Sequence, residues 1–266
     1  MPLAAVCQMC SGPDKARNLA QARELVSRAA ARGATFVALP ENVELMASSR
    51  EKREQAEALD GPALTGFREL ARSLGITLLA GSLAERAAGG KIYNTSVLVG
   101  PDGRDLAVYR KIHLFDVDIR DGATYRESEL VEAGTEAVVG DSPVGRVGLS
   151  VCYDLRFPEL YRRLSRAGAD VVTVPAAFTL MTGKDHWEVL LRARDIENQC
   201  YVVAAAQHGS HPGNRLTYGH SMIVDPWGLV LACCPDGPGV ALAELDRAAL
   251  ARVRSELPAL KHRRLD

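Results

Sequence analysis

The chain has 266 residues, of which 47% are hydrophobic and 24% charged, a composition that buries a core and argues against disorder. Its 32 basic and 33 acidic residues leave a net charge of −1, which excludes a whole-protein basic footprint for gripping nucleic acid. No uninterrupted apolar stretch reaches about 18 residues, so no membrane span is expected, and six cysteines behind an N-terminus without a secretion signal fit a reducing cytoplasm rather than a disulfide framework.

In chain order, amphipathic helices alternate with short β-branched runs. The first helix runs from Asp14 to Arg32, with apolar positions at Leu19, Ala22, Leu25, Val26 and Ala29 and Gly33 where a C-cap belongs. A strand follows at Thr35–Leu39, then a helix carrying Leu64, Phe67, Leu70, Ala71 and Leu74, closed by Gly75. Strands are predicted at Ile76–Ala80, Thr95–Val99 and Val147–Val151, and a helix at Pro158–Ala167. Val171–Val174, Tyr201–Ala206 and Ser221–Val224 read as further strands, with helices at His186–Gln199 and Asp246–Leu257. The chain is of the α/β class.

Its two halves echo each other. Gly33-Ala34-Thr35-Phe36-Val37-Ala38-Leu39-Pro40 parallels Gly168-Ala169-Asp170-Val171-Val172-Thr173-Val174-Pro175, and the run from Tyr93 to Gly103 parallels that from Tyr218 to Gly228. Two echoes in the same order favour a duplicated half-domain, which predicts two related layers packed sheet on sheet with helices outside. No Gly/Ser-rich linker separates the halves, so residues 1–266 are expected to form one domain.

Four residues carry candidate chemistry. Glu41 directly follows a buried strand, where ligands of α/β folds gather; burial there would raise its pKa and make it a proton acceptor near neutrality. Lys111 is one of only six lysines and sits between Tyr109-Arg110 and Ile112-His113-Leu114-Phe115, as a compact point charge in apolar company. Glu127 lies in a polar loop. Cys152 ends a strand at a strand-to-helix corner, which would present its thiol at the mouth of a cleft and free the Tyr153 N–H for an oxyanion. The plain alternatives are a small buried thiol, a loop carboxylate and a snorkelling lysine. Taken together the residues propose a Cys–Glu–Lys acyl-transfer site, with a carboxylate as base and an ammonium as its electrostatic partner.

Leu39-Pro40-Glu41-Asn42, Tyr109-Arg110-Lys111-Ile112-His113-Leu114-Phe115 and Val151-Cys152-Tyr153-Asp154-Leu155-Arg156-Phe157-Pro158-Glu159 together resemble the nitrilase superfamily of carbon–nitrogen hydrolases, and Glu127 matches its second glutamate. The likeness runs from about Ala4 to Arg264. It implies a four-layer αββα sandwich of two pseudo-symmetric halves, commonly paired as a homodimer, and no cofactor. The run from Phe178 to Arg194 is similar to the Nit branch of amidases, whose two main types act on deaminated glutathione and on ω-amides such as 2-oxoglutaramate. Asn198–Gln207 and Tyr218–Met222 lie closer to the first type; residues 112–119 are also close to the second. The chain stops at His262-Arg263-Arg264-Leu265-Asp266, short of the longer tail typical of that branch.

The resemblance implies hydrolysis of a carboxamide of a small 2-oxo acid through a thioester on Cys152, with Glu41 as base, Lys111 and the Tyr153 N–H as oxyanion donors and Glu127 orienting the lysine. Arg156, with Phe178 and Thr182, is the expected binding set for a substrate carboxylate; the alternative has Arg156 paired with Asp154 or Glu159 and Phe178 in the core. Two other readings compete. A metal site would draw on Cys7, Cys10, His208 and His211, but their spacing is poor for zinc. A scaffold with a vestigial site would have lost a catalytic residue, yet all four are present. Nothing points to nucleotide, nucleic-acid or membrane binding.

Overall fold

Asp14 caps the first helix by accepting a hydrogen bond from the Arg17 N–H at 3.0 Å, and the chain from there on is a regular alternation. The computed structural model describes residues 1–118 and 124–265. Ile119, the last residue of the 112–119 segment, and Asp266 lie outside them. The first half comprises β1 (Leu3–Gln8), α1 (Lys15–Ala31), β2 (Phe36–Ala38), α2 (Ser49–Glu54), α3 (Pro62–Leu74), β3 (Thr77–Leu79), β4 (Leu83–Arg86), β5 (Ile92–Val99) and β6 (Asp105–Arg110). A ribbon of β7 (Asp116–Asp118) and β8 (Thr124–Arg126) leads into β9 (Val139–Ser142), β10 (Gly145–Leu149), α4 (Pro158–Arg166), β11 (Val171–Thr173), α5 (Leu180–Asn198) and β12 (Tyr201–Ala204). Then come the ribbon of β13 (His208–His211) and β14 (Arg215–Tyr218), and finally β15 (Met222–Val224), β16 (Val230–Cys233), β17 (Gly239–Glu244) and α6 (Arg247–Glu256).

The expected duplication is visible in the strand pairing. In the first sheet β1, β2 and β3 are parallel, while β5 joins β3 and β6 joins β5 antiparallel. In the second, β10, β11 and β12 are parallel, and β15 and β16 follow antiparallel. Each first parallel strand also takes an antiparallel neighbour on its free edge, β17 on β1 and β9 on β10. The echoed segments are the corresponding strands, β2 with β11 and β5 with β15.

Side-chain alternation builds the layers. Ala4 and Val6 of β1 join Phe36, Ala38 and Leu79 against Val147, Leu149 and Val203 of the other sheet. Ala5 and Cys7 point the opposite way, onto Val26 and Ala29 of α1 and Phe67 of α3. Leu160 and Leu164 of α4 and Trp187 and Leu191 of α5 cover the second sheet. The order is therefore helices, sheet, sheet, helices, the αββα sandwich implied by the resemblance.

Element ends differ from expectation where tertiary packing decides. The strand expected over Val147–Val151 closes at Leu149, and Cys152 begins a 3-10 turn, Cys152–Arg156. Helix α5 begins at Leu180 rather than His186. Gly183 and Asp185 weaken the local helix signal, yet Gly183 is packed so tightly that a Cβ there would meet the Tyr218 Cβ at 2.3 Å. This places Thr182 on the first turn of a helix.

The turn after β3 supports the end of β2. Gly81 has φ +65°, and a Cβ on it would lie 2.0 Å from the Pro40 carbonyl oxygen. The neighbouring Ser82 N–H donates to that oxygen at 3.3 Å, and the Ser82 hydroxyl accepts from the Asn42 N–H at 3.0 Å. Gly81→Ala is expected to lower stability by about 2–4 kcal/mol, through strain and overpacking against backbone. Equilibrium urea unfolding checks this; a midpoint equal to that of the unsubstituted protein would contradict it.

Candidate active site

The four chemistry-bearing residues come from widely separated parts of the chain and meet at one end of the sheets. Glu41 follows β2, Lys111 follows β6, Glu127 opens the 3-10 turn after β8, and Cys152 follows β10. Glu41 and Lys111 are 2% and 1% exposed, and Cys152 8%, so these polar groups owe their charge states to one another rather than to water.

The Lys111 ammonium lies between the two carboxylates. Its Nζ donates to Glu41 Oε1 at 3.0 Å and to both Glu127 oxygens at 3.1 and 2.8 Å. Further hydrogen bonds to both carboxylates come from the protein. Glu41 Oε2 accepts from the Ala177 N–H at 2.8 Å, and Glu127 Oε2 from the Phe115 N–H at 2.7 Å. Asn94 Nδ2 spans the pair, donating to Glu41 Oε1 at 2.9 Å and to Glu127 Oε1 at 3.3 Å.

This network reverses one expectation. Burial is the largest single influence and pushes the Glu41 carboxyl up, as the sequence suggests, but the surrounding cations and hydrogen bonds together outweigh it. With help from Arg215 and from hydrogen bonds, Lys111 holds Glu41 below the usual carboxylate range. Burial pulls the Lys111 ammonium down, yet Glu127 and Glu41 hold it well above its ordinary value. The Cys152 thiol is displaced the other way: burial and then the Glu41 charge push it up, with Lys111 only partly opposing them. The resting arrangement is thus a neutral thiol beside an ionised carboxylate.

Cys152 has φ +50°, a left-handed conformation that costs a residue with a Cβ about 1–3 kcal/mol and persists only when its surroundings impose it. Hydrogen bonds on both sides of the turn impose it. The Cys152 N–H donates to the Pro175 carbonyl at 2.9 Å. Two residues on, Asp154 is fully buried. Its Oδ2 accepts from the Val151 N–H at 2.8 Å and from the Tyr109 hydroxyl at 2.7 Å, and its Oδ1 accepts from the His113 N–H at 3.0 Å. Asp154 therefore fastens the Cys152 turn to the segment that carries Lys111.

These groups open into a cleft of about 260 Å³, lined by Glu41, Lys111, Glu127 and Cys152 as well as by Tyr153, Arg156, Phe178 and Thr182. All eight residues named by the acyl-transfer reading line this one cavity, and Cys7, Cys10, His208 and His211 do not. Arg156 does not take the salt bridge that the alternative reading gave it: its guanidinium lies 5.1 Å from the Phe178 ring centroid and 5.9 Å from that of Tyr153. Its Nη1 is 3.2 Å from His186 Nδ1. Phe178 packs on Trp187 at 5.1 Å while still lining the cleft, and the Thr182 hydroxyl is 2.8 Å from that of Thr179. Among the described residues no group of three or more His, Cys, Asp or Glu side chains is placed to hold a metal.

Sequence reasoning missed Asn94, Asp154, Lys52 and Arg215, the last two being further cations of the cleft. A polar Asn in the buried strand β5 and an Asp two residues after the cysteine were the available signals. Lys52 and Arg215 sit in polar stretches that give none.

The arrangement brings together a thiol, an ionised carboxylate, a fixed cation and a shaped cleft, groups of the kind that acyl transfer uses. The pattern described as "Carbon-nitrogen hydrolase" matches residues 3–255. A protein of Synechocystis sp. called deaminated glutathione amidase is 50% identical over 265 residues, covering 98% of this chain and 97% of that protein. The crystal structure of the Caenorhabditis elegans NitFhit protein superposes with a TM-score of 0.93 at 43% identity, over 99% of this chain; the chain spans 65% of that protein. That of Saccharomyces cerevisiae Nit3, a member of branch 10 of the nitrilase superfamily, gives 0.90 at 32% identity, over 99% of this chain and 97% of that one. With the matched pattern spanning nearly the whole chain and relatives this close, the chain belongs to the carbon–nitrogen hydrolases of the nitrilase superfamily.

Proposed function

We propose that the cleft hydrolyses deaminated glutathione, releasing 2-oxoglutarate and cysteinylglycine through a thioester on Cys152. The observation that carries this reading is the ionised Glu41 held against the neutral Cys152 thiol by Lys111; the name of the Synechocystis relative supports the choice of substrate. The sulfur attacks the amide carbon as its proton passes to Glu41. The carbonyl oxygen gains the negative charge and is held by the Lys111 ammonium and the Tyr153 N–H. Collapse of this intermediate breaks the carbon–nitrogen bond, and the amine leaves with the proton from Glu41. Water then attacks the thioester, giving a proton to Glu41, and the sulfur leaves and recovers it. Glu127 keeps Lys111 in place through both steps. Arg156 binds the 2-oxo acid carboxylate, with Phe178 and Thr182 shaping its subsite. Because Glu41 and Lys111 come from one half and Cys152 from the other, the two halves act as one catalytic unit.

The working unit is a homodimer. Val189 and Ile196, seven residues apart on one face of α5, are 66% and 50% exposed, and Trp227 and Leu229 are 64% and 60% exposed. Ile196 reaches the turn at Gly228 that joins the latter two, so the four make one apolar surface of the kind that a partner covers.

Purified protein is expected to release cysteinylglycine from deaminated glutathione faster than ammonia from 2-oxoglutaramate, while Cys152→Ala retains the fold and releases neither. Activity in that variant would overturn the nucleophile, and the reverse preference would move the reading to an ω-amidase. Light scattering is expected to give twice the chain mass, with Trp227→Glu shifting it towards one chain; a monomer at all concentrations would contradict the dimer.

A further inference from the structure

The cleft carries more positive charge than one substrate carboxylate needs. Besides Arg156 on the Cys152 side, it is lined by Lys52 from α2 and Arg215 from β14. Each is tied to Glu41 through one intermediate residue. Lys52 Nζ donates to the side chain of Asn42, the residue after Glu41, at 2.6 Å. Arg215 Nη2 donates to the Ala177 carbonyl at 3.4 Å, and the Ala177 N–H in turn donates to Glu41. Among the described residues, neither cation has a carboxylate within ion-pair distance. The Arg215 Nε is buried with no hydrogen-bond partner among them, an arrangement that costs free energy unless a ligand completes it.

We propose that Lys52 and Arg215 form a second anion-binding end of the cleft, which takes a carboxylate carried by the leaving amine. This rests on the reading above, in which Glu41 protonates the departing nitrogen, so the leaving group must lie on the Glu41 side, where these two cations stand. Arg156 then takes the carboxylate of the acyl part at the other side. The preferred substrate class is an amide with a carboxylate on each side of the scissile bond, the leaving group being an amino acid or short peptide with a free C-terminus. Deaminated glutathione, with its 2-oxo acid and its glycine carboxylate, belongs to that class; primary amides that release ammonia do not. The mutual effect of the pair agrees with this. Burial, and then the charge of Arg215, lower the Lys52 ammonium to about 8, so two crowded cations gain from an anion between them.

The test uses binding, so that it stands apart from which amide is turned over. Cys152→Ala is titrated calorimetrically with N-glutarylglycine and with N-glutarylglycinamide, which differ only in the charge on the leaving-amine side. The carboxylate ligand is expected to bind about 10–100-fold more tightly, as hydrogen bonds between charged groups supply. Adding Lys52→Met or Arg215→Met is expected to shrink that preference each time, while Arg156→Met weakens both ligands alike. Equal affinity for the two ligands, binding of neither, or a preference that survives both substitutions would overturn the proposal. Failure to hydrolyse deaminated glutathione would instead overturn only the substrate named above.

Discussion

The buried ammonium of Lys111 is the interaction on which the rest of the site depends. Two carboxylates approach it within 3.0 and 2.8 Å in a place that water scarcely reaches. Without that cation, burial would govern Glu41 and drive it to its neutral, proton-bearing form. Removing one member of such a buried pair generally costs about 3–5 kcal/mol, because the partner charge is left uncompensated. The geometry also explains the residue type. Nζ makes its contacts with Glu41 and Glu127 from a single point, whereas a guanidinium is a broad planar fork. In a chain that otherwise prefers arginine, the lysine is retained where a compact charge is needed.

In the proposed reaction, an ionised carboxylate beside a neutral thiol defines how the chemistry starts. A thiolate beside Glu41 would place a second negative charge against the first, which is why the thiol is pushed up. On the proposed mechanism, the proton leaves sulfur only as the carbon–sulfur bond forms and negative charge moves to the carbonyl oxygen, where Lys111 can meet it. The strained Cys152 turn and the Asp154 clamp serve the same end, since they hold sulfur, carboxylate and ammonium in fixed register across two halves of the fold. Strain of this kind at one residue is stable only because buried hydrogen bonds from Val151, Tyr109 and His113 converge on Asp154.

Much of this was legible in the sequence. The paired strand–proline segments around Pro40 and Pro175 announced the duplication, because a buried parallel strand reads as a continuous apolar run. Glu41 and Cys152 stood out by following such strands, and Lys111 by its apolar company. The charge balance was not legible. From local context Glu41 gives only a buried carboxyl, and the sign of its shift depends on a lysine 70 positions away. Asn94 and Asp154 were hidden for the same reason, their partners lying 53 and 45 positions off. Strands β13, β14, β16 and β17 escaped because their half-exposed patterns carry little periodicity, and β17 finds its partner β1 only at the far end of the chain.

The whole site turns on the ionisation of Glu41. Glutamate labelled with carbon-13 at the side-chain carboxyl, with the Glu41 signal identified by its loss in Glu41→Gln, reports it directly by nuclear magnetic resonance. A carboxylate chemical shift is expected for Glu41 from neutrality down to about pH 5, where an ordinary glutamate begins to take up its proton. Protonation of Glu41 with a midpoint near neutral pH would contradict it.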